Sequence, residues 1–217
     1  MIRGMVCSAI VACTLASSAS PARSVVGGER TGGRPDTLVA DPLASSIRWK
    51  GTKFGGRGKH EGTIALADGE LVLRHEQLAG GSFTIDMRRI DVSDIPQSEP
   101  VPRRRLLDHL RGRDFFDVER FPAATFVTQR ATRIGPTRYR LGGTLTMHGV
   151  TQPLEFPVEV RWPEVGQMVA SAFIVLDRQR WGVAHRGAGI TNDLVDDDIA
   201  ISLVLVARRR THSSGTR

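Results

Sequence analysis

The sequence predicts an all-β fold, a closed antiparallel up-and-down barrel of about eight strands with one short amphipathic helix. Three observations carry that expectation. Segment after segment alternates apolar and polar residues with a period of two, as strands with one buried face do. The links between these segments are mostly tight, which fits antiparallel neighbours. One stretch alone has helical spacing. Closure is favoured over a flat sheet because it removes unpaired edges. A β-sandwich would show the same alternation and is the alternative. A barrel of this size either fills with side chains or holds one small ligand.

The 217 residues suffice for one domain with a real core, and 40% hydrophobic with 24% charged residues is a soluble globular composition. The start reads as an export signal over residues 1–20. Arg3 supplies the positive charge, Met5 to Ala16 is apolar or small, and Ser18, Ala19 and Ser20 suit cleavage. Both cysteines, Cys7 and Cys13, fall in this leader, so an exported domain would carry no disulfide. Ile10-Val11-Ala12-Cys13 also resembles a lipobox, which makes Cys13 a candidate for lipidation and a membrane anchor. Residues 21–37, rich in Gly, Arg and Pro, read as a flexible linker.

The barrel domain is expected over residues 38–207. Ser46 to Phe54, with Ile47 and Trp49 alternating, is a strand that Gly55-Gly56 breaks. Lys59 to Ala67 carries Ile64 and Leu66 on one face. Asp68-Gly69 predicts a type I′ hairpin turn, Glu70 to Leu78 returns, and Gly80-Gly81 turns the chain again. Ser82 to Ile90 points Phe83, Ile85 and Met87 one way. A proline-rich loop, Asp91 to Pro102, leads to the helix. Its apolar stripe is Leu106, Leu107 and Leu110, its polar face holds Arg103, Arg104, Arg105 and Arg111, and Gly112 closes it. Phe115, Phe116 and Phe121 follow, a plug over something apolar. Strands resume at Ala123–Arg133, Arg138–His148, Gln152–Trp162, Gln167–Leu176 and Ile199–Val206. Pro153 and Pro157 share the polar face of their strand and each removes a ladder donor, so the strand should be near an edge or bulged. Residues 208–217 read as a basic disordered tail.

The net charge of +7 reads first as a solvated surface, then as attraction to anionic headgroups or phosphates. Nucleic acid is disfavoured, because the basic residues are scattered and a single Tyr is available to stack on bases. Catalytic readings are weak. Asp108 cannot easily orient His109 from the next helical position, and no recognisable nucleophile motif stands nearby. His60-Glu61 and His75-Glu76 lack zinc spacing, and alternation would put each His and its Glu on opposite faces. Asp177, Arg178 and Trp181 read as a buried turn with a charge-assisted hydrogen bond.

Several motifs resemble the YceI-like family. His109-Leu110-Arg111, Asp114 to Glu119, Phe121-Pro122 and Thr125-Phe126 resemble its first signature. Gly143 to Pro153 resembles the second, and Asp177-Arg178 with Trp181-Gly182-Val183 a third. Gly80 to Phe83 and Ile85 to Met87 match one branch, which is often rich in Phe and Gly where this chain has Ala184 to Ile190. The resemblance implies a lipocalin-like barrel, usually exported, whose interior takes a polyisoprenoid such as a prenyl quinone or prenyl phosphate. On that reading the protein is a periplasmic or extracellular lipid binder or carrier, not an enzyme, and needs no cofactor or metal. Its lining and lid would be Phe83, Ile85, Met87, Leu145, Met147, Phe156 and Leu203 with Phe115 and Phe116. Arg104, Arg105 and Arg111 are candidate headgroup contacts, since arginine forks bind phosphate bidentately. The alternatives are an enzyme using His109 in the same cavity, and a solid-core barrel acting as a stress or adhesion module.

Overall fold

The computed structural model describes residues 36–183 and 195–210. The expected export signal, Cys13, most of the linker, the Ala184 to Ile190 segment and the end of the basic tail lie outside these residues. Nine strands are present among the described residues: β1 (Asp36–Ala40), β2 (Ser46–Lys53), β3 (Gly58–Arg74), β4 (Gln77–Val92), β5 (Ala123–Arg133), β6 (Arg138–Met147), β7 (Val150–Glu164), β8 (Gln167–Asp177) and β9 (Val195–Arg209). Helix α1 (Pro100–Arg111) joins β4 to β5, and a 3-10 turn of helix, Arg178–Trp181, follows β8. Strand β1 thus begins inside the segment read as linker, and β9 runs two residues into the segment read as tail.

Every pairing is antiparallel. The order β1-β3-β2-β9-β8-β7-β6-β5-β4 closes through a β3–β4 pairing. The barrel has eight staves rather than nine, because β1 and β2 share both neighbours, β3 and β9. They are one stave broken at Asp41–Ser45. The break leaves Val206 of β9, paired with Val169 of β8 on its other side, without a ladder partner on this one. The Asp41 amide donates to its carbonyl at 2.7 Å and the Ser45 hydroxyl accepts from its amide at 3.0 Å. Satisfying those buried groups is what makes the interruption tolerable. The end of the barrel near β1 is packed shut by Leu38, Leu73, Met168 and Ala207, all at most 1% exposed.

The Asp68-Gly69 turn is corrected. Strand β3 runs through it, and the hairpin lies at His75-Glu76, both at positive φ (50° and 61°). Asp68-Gly69 instead sits at a bulge, where the register shifts by one residue between Leu66↔Ile85 and Asp68↔Thr84. The shift exchanges parity. Leu66 faces inward before it, and Leu71 and Leu73 after it. Gly69 is required by close approach, since a β-carbon there would overlap the Phe83 ring. Gly80-Gly81 likewise lies within β4 rather than at a turn. His75 and Glu76 therefore form a turn and do not alternate on a strand.

The prolines of β7 behave as expected. The Val160 amide donates to Thr137, so even-numbered residues direct their backbone groups at β6. Pro153 and Pro157 are odd and aim at β8, where neither can donate. Among the described residues the β7–β8 register runs only from Glu159↔Ser171 to Glu164↔Gln167. At the other end of that seam, the 3-10 turn closes the wall. Trp181, fully buried, donates its indole N–H to the Leu145 carbonyl at 2.9 Å. The Asp177 carboxylate caps the Gln179 amide at 2.9 Å. Arg178, 2% exposed, donates to the carbonyls of Val183, Val195 and Asp196 and to the Asp197 carboxylate at 3.1 Å. The charge-assisted bond expected here is made by Asp197, not by Asp177.

Two outcomes follow. Arg178→Met should cost about 3 kcal/mol in urea unfolding, because it strands several buried acceptors and a carboxylate. In Gly62→Ala the new β-carbon would overlap the Asp91 carbonyl oxygen, and the variant should lose about 3 kcal/mol. Gly80→Ala meets nothing closer than 3.7 Å and is the matched control, expected within about 0.5 kcal/mol of wild type.

Candidate functional site

Inward-facing side chains of all eight staves do not fill the barrel. They enclose a cavity of about 230 Å³ that extends from the helix end toward the packed end. Its wall is apolar over most of its length, from Leu71, Leu78, Leu141 and Leu205 deep inside to Ile199 and Leu176 near the helix end. Among the described residues, polar side chains reach it from the end of β2, the start of β3, helix α1 and the residue after β8: Thr52, Lys53, His60, His109 and Arg178. The result is an apolar shaft with a polar rim at one end.

Helix α1 lies across that end. Leu106, His109 and Leu110 face the cavity, and Leu107 packs on the core beside it. The chain then folds back under the helix, with the Phe116 amide donating to Leu110 O and the Val118 amide to Arg111 O, both at 3.1 Å. This turn delivers Phe115 and Phe116 to the cavity, their rings edge to face at 4.9 Å. Phe121 does not join them; it packs edge to face on His148 at 4.8 Å, at the β6–β7 turn.

The helix is latched to β4. Strand β4 bulges by three residues between Asp86 and Asp91, which turns its last carbonyls toward the helix and β2. Arg111 donates to Ile90 O at 2.7 Å, Arg103 to the Asp91 carboxylate at 2.6 Å, and the Trp49 indole to Asp91 O at 3.1 Å. At the rim His60 Nδ1 lies 2.8 Å from Asp94 Oδ2. Burial pushes the Asp94 carboxyl up, but the Glu61 amide and the His60 ring outweigh it and hold the group below the usual carboxylate range. The hydroxyl of Thr52, opposed by burial and helped by the Gly55 and Gly56 amides, holds Asp196 low in the same way.

Phe83, Ile85, Met87 and Leu145 all lie on the cavity wall. So do Met147, Phe156, Leu203, Phe115 and Phe116. The three arginines suggested for a headgroup do not converge there. Arg104 points to solvent and pairs with Asp108 at 3.7 Å, Arg105 is exposed, and Arg111 is spent on the Ile90 carbonyl. The rim groups Thr52 and Lys53 were not singled out in the sequence, and His60 was weighed there only as a zinc ligand. The period of β3 was a usable signal for His60, since it shares parity with Ile64 and Leu66. Among the described residues no three His, Cys, Asp or Glu side chains cluster as a metal site.

Comparison with known proteins agrees with this architecture. The model of the YceI-like domain matches residues 38–207. A UPF0312 protein of Pseudomonas putida (strain GB-1) is 33% identical over 160 residues, 71% of this chain and 78% of its own. Among solved structures, Burkholderia cenocepacia BcnA superposes with a TM-score of 0.64 at 21% identity, covering 77% of this chain and 98% of its own. A polyisoprenoid binding domain from Saccharophagus degradans gives 0.58 at 13% identity, over 82% of this chain and all of its own. At such identities these two structures speak for the fold alone. With the family model spanning the whole barrel, the chain belongs to the YceI-like family.

Proposed function

We propose that the protein is exported and binds an isoprenoid lipid, its tail in the barrel and its polar end at the rim, without performing chemistry on it. The observation that carries the reading is the unfilled apolar cavity. An apolar cavity of about 150 Å³ already stays dry and takes up benzene; this one is about 230 Å³. Residual voids destabilise by about 24 cal/mol per Å³, so leaving this one empty forfeits roughly 5 kcal/mol. That is comparable with the whole net stability of many domains. A sequence that keeps such a space lined by Leu, Ile, Phe and Met offers it to an apolar guest. Each buried methylene of that guest contributes about 0.8 kcal/mol. The polyisoprenoid binding domain of Saccharophagus degradans has the same fold. The Arg3 and Met5–Ala16 leader pattern supports export, and Cys13 allows a lipid anchor.

Catalysis in the same cavity is the second reading, and the His60–Asp94 pair at the rim is its support, with His109. Among the described residues Thr52 carries the one hydroxyl on the wall, and it already donates to Asp196. Among the described residues no free side-chain hydroxyl then remains on the wall for a base to activate.

Ala124 and Ala170 line the cavity and are nearly fully buried. Ala124→Phe and Ala170→Phe should fill it. Each should weaken binding of a prenyl-substituted benzoquinone by about tenfold or more while leaving thermal stability equal or higher, because the void shrinks. Tryptophan fluorescence titration in mild detergent, with calorimetric melting beside it, reads both. Wild-type protein that takes up neither the quinone nor a prenyl phosphate would sink the proposal.

A further inference from the structure

The wall around the cavity has one long stretch without strand pairing among the described residues, the seam between β7 and β8. Below Glu159↔Ser171 the two strands share no register among the described residues. Pro153 and Pro157 lack the donors that would have bonded across it. On the inner face of this seam, Leu154 and Phe156 of β7 and Ile174 and Leu176 of β8 all line the cavity. On its outer face, Phe173 is 62% and Val175 54% exposed on β8, with Val204 40% exposed on β9 beside them. Outward-facing residues fall in two cross-strand rows. One is Phe173, Ser202 and Arg48; the other is Val175, Ala200 and Lys50. Each row begins apolar at the seam and ends on an exposed basic residue two strands away. Across the seam stands Arg180, exposed, its guanidinium on the Pro153 carbonyl at 3.3 Å. Of the acidic residues of β7, Glu155 pairs with Arg130 and Arg140 and Glu159 with Arg161, while Glu164 lies exposed at the end of the strand away from the unpaired stretch. Asp177 and Asp198 lie opposite each other at the helix end of the seam.

We propose that the β7–β8 seam is a lateral portal, and that the apolar strip along it docks the barrel on an anionic lipid surface so that a prenyl chain passes sideways from bilayer to cavity. The inference rests on the binding reading above. The occupant follows from continuity. The strip outside, the side chains at the seam and the cavity wall form one apolar path, and a bilayer covers the strip while supplying what fills the cavity. Exposed apolar residues flanked by Lys and Arg are the pattern of interfacial lipid binding. Isolated exposed apolar side chains elsewhere, Leu43 and Val165, lead to no cavity.

The test uses the full chain and two measurements. The first is equilibrium affinity for a fluorescent prenyl quinone in mild detergent. The second is its rate of transfer from vesicles of phosphatidylcholine and phosphatidylglycerol. Phe173→Asp with Val175→Asp should slow transfer about tenfold and leave the detergent affinity within about twofold. Pro153→Thr with Pro157→Val restores two donors facing β8; this variant too should slow transfer, by closing the seam. Leu43→Asp with Val165→Asp should change neither quantity. Wild-type transfer rates in both seam variants would overturn the portal while the cavity's ligand binding stood. If Phe173→Asp turned a dimer into a monomer at unchanged transfer rate, the strip would be a contact between copies and the portal would fall. Absence of binding in detergent would remove the binding reading and the portal together.

Discussion

Each stave of the barrel must keep its apolar side chains pointing inward along its whole length, because a slip of one residue turns all of them outward. Strands of 15–17 residues, such as β3, β7 and β9, are long for that task. They coil around the barrel, and coiling drifts out of phase with a neighbour's pleat. Bulges correct the phase. They stand where β3 meets β4, where β5 meets β6 near Thr128 and where β7 meets β8 near Arg161. The glycines that matter sit beside these corrections. Gly69 admits the Phe83 ring, and Gly143 lets the Val127 carbonyl approach. A wall kept in phase for its full length encloses a continuous apolar interior, and the cavity is its consequence.

The same constraint explains what was legible in the sequence. Strand β5 was readable to both end residues despite its bulge near Thr128, and β6 to within one because its alternation is unbroken. The inward face of β4 was readable at Phe83, Ile85 and Met87 for that reason. Reading failed at Asp68-Gly69, where a dipeptide that favours positive φ serves a bulge. The hairpin was taken instead by His75-Glu76, two residues with little intrinsic preference for that backbone. One clue was present. Leu66 and Leu71 differ in parity, which an uninterrupted strand cannot accommodate without a bulge. The helix arginines failed for a different reason. Amphipathicity says which side of a helix is polar, but the partner of Arg111 exists only because β4 bulges by three residues, and no periodicity announces that.

The two breaks in the barrel wall differ in how they are resolved. Between β1 and β2 the stave is interrupted, yet Asp41 and Ser45 return both hydrogen bonds to Val206, and the packed end shows no exposure at Leu38 or Met168. Between β7 and β8 the prolines remove donors, and among the described residues no strand pairing joins the two beyond Glu159↔Ser171. The 3-10 turn ties the strands only at the far end, through Gln152 and Arg180. A wall that spends Ser and Asp side chains to seal one break and places two prolines at the other is not uniformly sealed.

That asymmetry bears on how a guest reaches the interior. Lifting α1 would break the bonds from Arg111 to Ile90 and from Arg103 to Asp91, and would withdraw Leu110 and Phe115 from the core, at 6% and 7% exposure. The half-buried Arg111–Ile90 bond contributes about 1.5–3 kcal/mol, the exposed Arg103–Asp91 pair under about 1, and a buried Leu or Phe about 1.5–3 each. Opening the helix end therefore costs on the order of the stability of the whole domain. Parting β7 from β8 below Glu159 breaks no ladder, because the register ends there. Of the side chains on its inner face, Leu154 and Ile174 are half-buried, while Phe156 and Leu176 are buried. Local opening takes the route of lowest free energy, and in this barrel that route lies in the side wall.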